Sequence, residues 1–285
     1  MKTIQKTAIA LAASGLFATA AFAQSAPAAA PEAPEASPIT ANVTITNDYR
    51  YRGITQSNYQ PAIQGGFDYA HESGFYIGNW NSSINWISNT TGGGVRAPLE
   101  MDFYGGFKKE LIGEGFASDF GILQYYYNQT GKNYNGNMVN PNTTELYAAQ
   151  NFTFGPVTGF VKVNYALTNI FGIPNSTGSF YPDLTANYDT GIWGISLNGH
   201  IGYQYVAGQP GSQGGIAQTQ KNISYTDFKL GATKDFGGGL SLSAAYVSTN
   251  ANPVWWNAYT SGPNGGSPSG SAGRPGAVVS LTKVF

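Results

Sequence analysis

The side chains that could do chemistry in this chain are charged groups spaced two residues apart. Asp48, Arg50 and Arg52 form one such set, and Glu100 with Asp102 forms another. In an extended strand, residues two positions apart lie on the same face. Guanidinium groups that face carboxylates can form a charged ring that screens solutes. Alternatively, these charges only neutralise one another within a wall, because a buried charge needs a partner in any case.

Catalysis and metal binding have little support in the residue types. The chain has no cysteine and only two histidines, His71 and His200. His71 lies in a predicted short turn, whereas His200 shares a strand face with polar residues. There it could titrate a gate near neutral pH or serve as a hydrogen-bonded wall residue. A hydrolase site on the outer, apolar face would need a histidine there, and His200 lies on the other face. We therefore expect no enzyme, no metal and no cofactor.

Turn signals divide the chain into strands joined by alternately short and long connections. This pattern is typical of an antiparallel outer-membrane β-barrel with short periplasmic turns and long extracellular loops. It predicts an all-β fold of about twelve transmembrane strands. The predicted strands are near 41–52, 62–70, 74–86, 98–109, 116–128, 143–154, 157–168, 180–190, 193–206, 223–235, 240–250 and 275–285.

Composition favours the same fold. Charged residues make up 10% of the chain, against about 25% in typical soluble domains, and aromatic residues make up 14%. No apolar run reaches the roughly 20 residues of a spanning helix. Without Lys2 and Lys6, 12 basic and 15 acidic residues remain, a net charge of 12 − 15 = −3. This weak charge gives no reason to expect nucleic acid as a partner.

The ends of the chain indicate export and barrel closure. Residues 1–23 resemble a cleaved signal peptide, with a basic start, an apolar run and a small-residue site. An Ala/Pro-rich linker, expected to be disordered, follows at 24–38, and the barrel is expected at 39–285. The last predicted strand ends on Phe285, which we expect to act as a signal to the barrel assembly machinery.

The first strand region carries a specific motif, residues 46–57, which read TNDYRYRGITQS. It is followed by QGGFDY at 64–69 and SGFYIGNW at 73–80. These segments resemble the TorF family of predicted porins of Gram-negative bacteria, whose members carry a Gcw_chp domain. Asn47 and Thr55 are conservative departures from the family pattern. The resemblance implies an outer-membrane porin, and it carries over no catalytic residue.

The expected function is passive diffusion of small hydrophilic solutes or ions through a polar lumen. Eight inward carboxylates against four basic groups predict a weak cation preference. The alternatives are a plugged barrel with a structural or surface-recognition role and, much less favoured, a hydrolase. The candidate lumen-lining residues are Asp48, Arg50, Arg52, Asp68, Glu100, Asp102, Asp119, Glu145, Lys162, His200 and Lys229, with Asp183 and Asp227 on the same face.

Several features are left open by the sequence. Inward Tyr104, Phe160 and Trp80 would fill a narrow lumen, but the parity at Trp80 is ambiguous. Trp255 and Trp256 either anchor the longest loop at the membrane interface or stack on a sugar ring. Lipid and lipopolysaccharide are the expected surroundings of the outer face, and a homo-oligomer is possible.

Overall fold

The computed structural model describes residues 37–131, 134, 138–208, 212–213, 216–217, 223–259 and 268–285. The predicted signal peptide at 1–23 lies outside the described residues, as does most of the predicted linker at 24–38. Among the helical segments described, none has the length and apolar character needed to cross a membrane.

Twelve antiparallel strands pair in chain order and close into a barrel, which confirms the predicted fold. Each strand is hydrogen-bonded to the next along the chain, and the last pairs with the first. The strands are β1 Ile39–Thr46, β2 Ala62–Ala70, β3 Phe75–Ser83, β4 Leu99–Gly113, β5 Phe116–Tyr127, β6 Thr143–Phe154, β7 Val157–Ala166, β8 Phe180–Asp189, β9 Ile195–Gln204, β10 Tyr225–Asp235, β11 Leu240–Thr249 and β12 Gly276–Val284.

The connections sort by length to the two ends of the barrel. Turns of two to five residues join β2 to β3 and every second pair after it, whereas the other connections are long. One long connection contains the helix α1, Trp86–Thr90. Three others contain two-stranded ladders: Arg50–Tyr51 with Ile54–Thr55, Ser212–Gln213 with Ile216–Ala217, and Asn257–Tyr259 with Pro268–Ser271.

The barrel closes where β1 meets β12. Val43 lies opposite Lys283 and Ile45 opposite Leu281 in this antiparallel pair. The seam therefore uses residues 42–46, and the end of the predicted first strand, residues 47–52, is not part of it. Phe285 follows β12 at the short-turn end with 71% of its surface exposed, and the Lys283 ammonium lies 5.4 Å from its ring centroid.

Outward side chains are mostly apolar, whereas most inward ones are polar, aromatic or small. On β4, Leu99 and Phe103 are exposed on the outer face, whereas Glu100 and Asp102 are buried on the inner face. This division is the one expected of a barrel whose outer face meets lipid. The exposed apolar side chains include Ile45, Ile63, Phe67, Ile77, Phe120, Ile122, Leu146, Val161, Leu184, Leu197, Ile201, Leu230, Leu242, Val279 and Leu281.

The predicted first strand is too long. β1 ends at Thr46, and residues 47–60 turn into the lumen; we call this segment the inner hairpin. Asp48 directs the turn, because its Oδ1 accepts hydrogen bonds from Thr55 Oγ1 at 2.5 Å and Ser57 Oγ at 3.2 Å. The Ser57 hydroxyl also accepts a hydrogen bond from the backbone N–H of Tyr49 at 3.0 Å. Side-chain bonds of this kind compete with a strand ladder and favour a turn.

Aromatic and aliphatic side chains fill much of the interior at the long-loop end. Trp80 and Tyr104 point inward and are buried, which settles the ambiguous parity of Trp80. They belong to a cluster that includes Tyr49 of the inner hairpin and Ile87 of α1. The inner hairpin and α1 therefore pack into the lumen from this end.

The tryptophan pair belongs to this loop packing. Trp256 Nε1 donates a 2.9 Å hydrogen bond to the Ile223 carbonyl, and its ring packs edge-on against Tyr225 at 5.0 Å. Trp255 packs against the same loop cluster. Trp256 therefore packs within the loops, and its role as an interface anchor or as a residue that stacks on a sugar stays a prediction.

Candidate functional site in the barrel lumen

The tip of the inner hairpin is the most constrained backbone in the lumen. Arg52 and Gly53 form its two-residue turn, with φ of 46° and 76°. Both values lie in the left-handed region, which suits glycine but is strained for arginine. A Cβ atom on Gly53 would lie 2.6 Å from Asp227 Cβ on β10 and 3.3 Å from Thr249 Cβ on β11. The hairpin therefore reaches across the lumen and touches the opposite wall.

Arg52 anchors the hairpin tip to the barrel. Its Nη2 donates to Glu145 Oε2 at 2.7 Å and its Nη1 donates to Gln204 Oε1 at 2.6 Å. The guanidinium also lies 4.3 Å from the ring centroid of Tyr181 and 4.8 Å from that of Tyr51. Because Arg52 is only 8% exposed, this ion pair is largely shielded from water.

Asp48 and Arg50 form a second ion pair at the base of the hairpin. Arg50 also donates to the carbonyls of Gly53, at 2.9 Å, and of Arg274, at 3.0 Å. Arg50 and Arg274 lie on the ring of Tyr59, at 4.8 and 4.3 Å from its centroid. Asp48, Arg50 and Arg52 thus reach the lumen through a folded-in loop, and their predicted position on the first strand is wrong.

The carboxylates of β2, β4 and β5 are held by tyrosines. Glu100 accepts hydrogen bonds from Tyr49 at 2.5 Å and Tyr127 at 2.7 Å. In the same way, Asp68 accepts from Tyr104 at 2.5 Å and Asp119 from Tyr76 at 2.6 Å. The exception is Asp102, which is 1% exposed and whose oxygens have no hydrogen-bond partner in the described part of the chain. The arginines therefore do not face these acids as the sequence suggested.

His200 lies between two aspartates on the opposite wall. Its Nδ1 is 2.9 Å from Asp183 Oδ1 and its Nε2 is 2.9 Å from Asp227 Oδ2. Asp227 also accepts a 2.9 Å hydrogen bond from Tyr181. Neutral imidazole has one N–H only, so a carboxylate at each nitrogen fits the doubly protonated ring.

A cavity of about 60 Å³ lies between the hairpin tip and the wall formed by β7 to β11. It brings together seven of the residues that the sequence placed inward: Arg50, Arg52, Lys162, Asp183, His200, Asp227 and Lys229. Asp183 and Asp227 are the carboxylates in its lining. Asp68, Glu100, Asp102 and Asp119 are not among its lining residues.

The tyrosines are the lumen residues that the sequence did not reveal as partners of the charges. The sequence does carry a signal for these tyrosines, which is an inward-facing glycine on the strand next to the one that carries the tyrosine. A Cβ atom on Gly202 of β9 would lie 2.1 Å from the Tyr181 hydroxyl oxygen, because that side chain crosses the bare backbone. An inward Gly next to a strand with an inward Tyr therefore indicates a ring that crosses the neighbouring strand.

The substitution Gly202→Val is expected to displace Tyr181 from Asp227 and from Arg52. We expect the free energy of unfolding in lipid vesicles to fall by about 1–3 kcal/mol, the usual cost of overpacking. Gly199→Ala on the same strand is the control, because the nearest atom to its new Cβ is 4.0 Å away. Equal stability of the two variants would contradict the packing of Tyr181 on Gly202.

Solved porin structures are similar to this chain, and one of them, a NanC porin, shares its fold. A NanC porin has a TM-score of 0.51 at 8% sequence identity, over 86% of this chain and 98% of that chain. A KdgM porin has a TM-score of 0.48 at 4% identity, over 87% and 97% of the two chains. The OprD structure from Pseudomonas aeruginosa has a TM-score of 0.41 at 11% identity, over 88% and 67%.

Sequence comparison gives the family. No curated protein matches the chain significantly. A family model described as "Bacterial protein of unknown function (Gcw_chp)" matches residues 28–285, which include the whole barrel and the inner hairpin. The chain therefore belongs to the Gcw_chp family of bacterial proteins.

Proposed function

We propose that this protein is a narrow porin-like channel of the outer membrane, through which small hydrophilic solutes or ions diffuse passively. The observation that carries the proposal is the closed twelve-stranded barrel, with its apolar outer face and its charged, partly hollow interior. The mechanism involves no covalent chemistry: the barrel excludes lipid, and the polar lumen replaces part of the solute's hydration shell. The porin fold of NanC agrees with this proposal.

In this proposal the inner hairpin is the constriction. Its tip crosses the lumen to β10 and β11, so a solute passes the side chains of Arg50 and Arg52. The excess of lumen carboxylates predicts a weak cation preference. However, Glu100 and Asp102 contribute to that excess at 2% and 1% exposure, and a solute in the cavity does not meet them. Selectivity is set where the solute is in contact with the wall.

The plugged barrel is the second candidate function. Its support is the packing of Tyr49, Trp80, Ile87 and other apolar side chains beneath the long loops. In a plugged barrel these contacts would close the lumen permanently, and the protein would act through its outer loops. In the channel proposal they leave a narrow path beside the hairpin.

The proposed location of the protein is the outer membrane, reached by export across the inner membrane. The segment 1–23 would direct export and be removed, and the linker at 24–38 would lie in the periplasm with the short turns. Phe285 would be read by the barrel assembly machinery, while lipid and lipopolysaccharide surround the apolar belt. Membership of the TorF family and assembly into a homo-oligomer belong to this proposal as well.

A liposome-swelling assay tests the channel against the plugged barrel. Liposomes that contain the folded protein are expected to swell in isotonic glycine, and much more slowly in an oligosaccharide. Protein unfolded by heat before reconstitution serves as the control. No swelling in glycine, with protein shown to be folded by its gel mobility, would favour the plugged barrel.

A further inference from the structure

We propose that the cavity beneath the hairpin tip is a binding site for a small monovalent anion, either a halide or a short carboxylate such as formate. This inference rests on the proposed function in one respect, that the bound anion is a permeant of the channel. It reverses the cation preference that the total charge of the lumen predicts.

The lining of the cavity carries more positive than negative groups. Arg50, Arg52, Lys162, Lys229 and His200 face it, against the two carboxylates Asp183 and Asp227. Asp48 and Glu145, which pair with the two arginines, are not among the lining residues. The arginine charges are thus turned toward the cavity on one side and toward their partners on the other.

The two aspartates of the lining are already engaged. Each lies 2.9 Å from a different nitrogen of His200, and Asp227 accepts the Tyr181 hydroxyl in addition. A doubly protonated His200 offsets one of these two charges. The cations that face the cavity therefore outnumber its two carboxylates, while Asp48, Glu145 and Asp119 act on them from outside the lining.

Lys162 is the basic group with room for an added anion. Its ammonium lies 4.5 Å from the ring centroid of Tyr147, and among the described residues it forms no ion pair with a carboxylate. An ammonium in a sheltered, largely desolvated site attracts an anion more strongly than one in bulk water. The cavity therefore offers an anion one cation outside the short ion pairs, on which Asp183, Asp119 and Glu145 act only at longer range.

The size of the cavity restricts the ligand. A volume of about 60 Å³ holds a few water molecules, which suits chloride or formate and excludes a sugar. Asn164 also lines it, beside the two arginines and the lysines. An anion seated here can exchange its water shell for guanidinium, ammonium and amide donors.

The reversal potential of single channels in a potassium chloride gradient tests the proposal. Wild-type channels are expected to prefer chloride. Lys162→Gln is expected to lower the chloride-to-potassium permeability ratio several-fold, which moves the reversal potential toward the equilibrium potential of potassium. Lys234→Gln is the matched control, because Lys234 is at the short-turn end of β10 and donates to the Trp193 carbonyl outside the cavity. A wild-type preference for potassium, or equal shifts in both variants, would overturn the anion site.

Failure of the channel itself is a separate result. If the folded protein gives no conductance steps, the linewidth of ³⁵Cl nuclear magnetic resonance in its micellar solution tests the site directly. Greater broadening by the wild type than by Lys162→Gln supports chloride binding in a closed barrel. Equal broadening rejects the site whether or not the barrel conducts.

Discussion

Glu145→Ala is expected to lower the free energy of unfolding by about 3–5 kcal/mol, the cost of leaving a buried charge without its partner. Glu145 Oε2 accepts hydrogen bonds from Arg52 at 2.7 Å, Asn164 at 2.9 Å and Tyr125 at 3.3 Å. Its removal leaves the guanidinium in a site that is only 8% exposed. The measurement is the denaturant midpoint of the protein refolded in lipid vesicles.

Two further variants separate the ion pair from general damage. Adding Arg52→Ala to Glu145→Ala removes the unpaired charge, so the double variant should recover part of the lost stability. Glu72→Ala changes an exposed carboxylate in the turn after β2 and should alter stability by no more than about 0.5 kcal/mol. A double variant less stable than Glu145→Ala alone would contradict this expectation, because the other contacts of Arg52, such as that to Gln204, would then outweigh its unpaired charge.

Gly53→Ala is expected to raise the single-channel conductance several-fold. Its new Cβ would lie 2.6 Å from Asp227 Cβ and in an unfavourable backbone region, at φ 76°. The hairpin tip must then withdraw from β10 and β11, which widens the path. The strand register does not depend on this contact, so the barrel should still fold.

The control for Gly53→Ala is Gly237→Ala, in the turn after β10. Gly237 has nearly the same φ, 80°, but no atom lies within 4 Å of the Cβ that alanine would add there. Both substitutions share the cost of a left-handed alanine, about 1–2 kcal/mol. Only the change at Gly53 places an atom against the lumen wall. A conductance that rises equally in both variants would reject the hairpin as the constriction.

The barrel was predictable because its signals are local. Alternation on β4 places Leu99 and Phe103 outward and Glu100 and Asp102 inward, and a two-residue period needs no knowledge of distant residues. The short turns were recognisable for the same reason, since glycine at Gly155 or Gly237 marks a tight reversal. Because the first and last strands must pair to close the barrel, these signals determine the number of strands and which residues face outward.

The inner hairpin was not predictable by the same rule. Asp48, Arg50 and Arg52 continue the alternation of β1, so parity alone extends the strand through them. What bends the chain is the bonding of Asp48 to Thr55 and Ser57, together with contacts to Glu145 and Gln204 far along the sequence. Competition between a strand ladder and side-chain bonds is decided by energy and is not visible in the spacing.

The charge pairing in the lumen was also beyond the sequence. Parity placed Glu145 and His200 inward, but it does not state which groups meet across the barrel. Arg52 meets Glu145 because the hairpin carries it there, and Glu100 meets Tyr49 for the same reason. Counting the inward charges therefore gave the total charge of the lumen but not the position of each charge. A solute meets only the charges that lie along its path.

Single-channel recording of the folded wild-type protein in a planar bilayer tests whether the barrel is a channel constricted by the inner hairpin. We expect small, ohmic conductance steps, with each step enlarged when Gly53→Ala replaces the wild type under the same conditions. Absence of steps in both proteins, each shown to be folded by heat-modifiable gel mobility, would contradict the channel and leave the plugged barrel as the function of this fold.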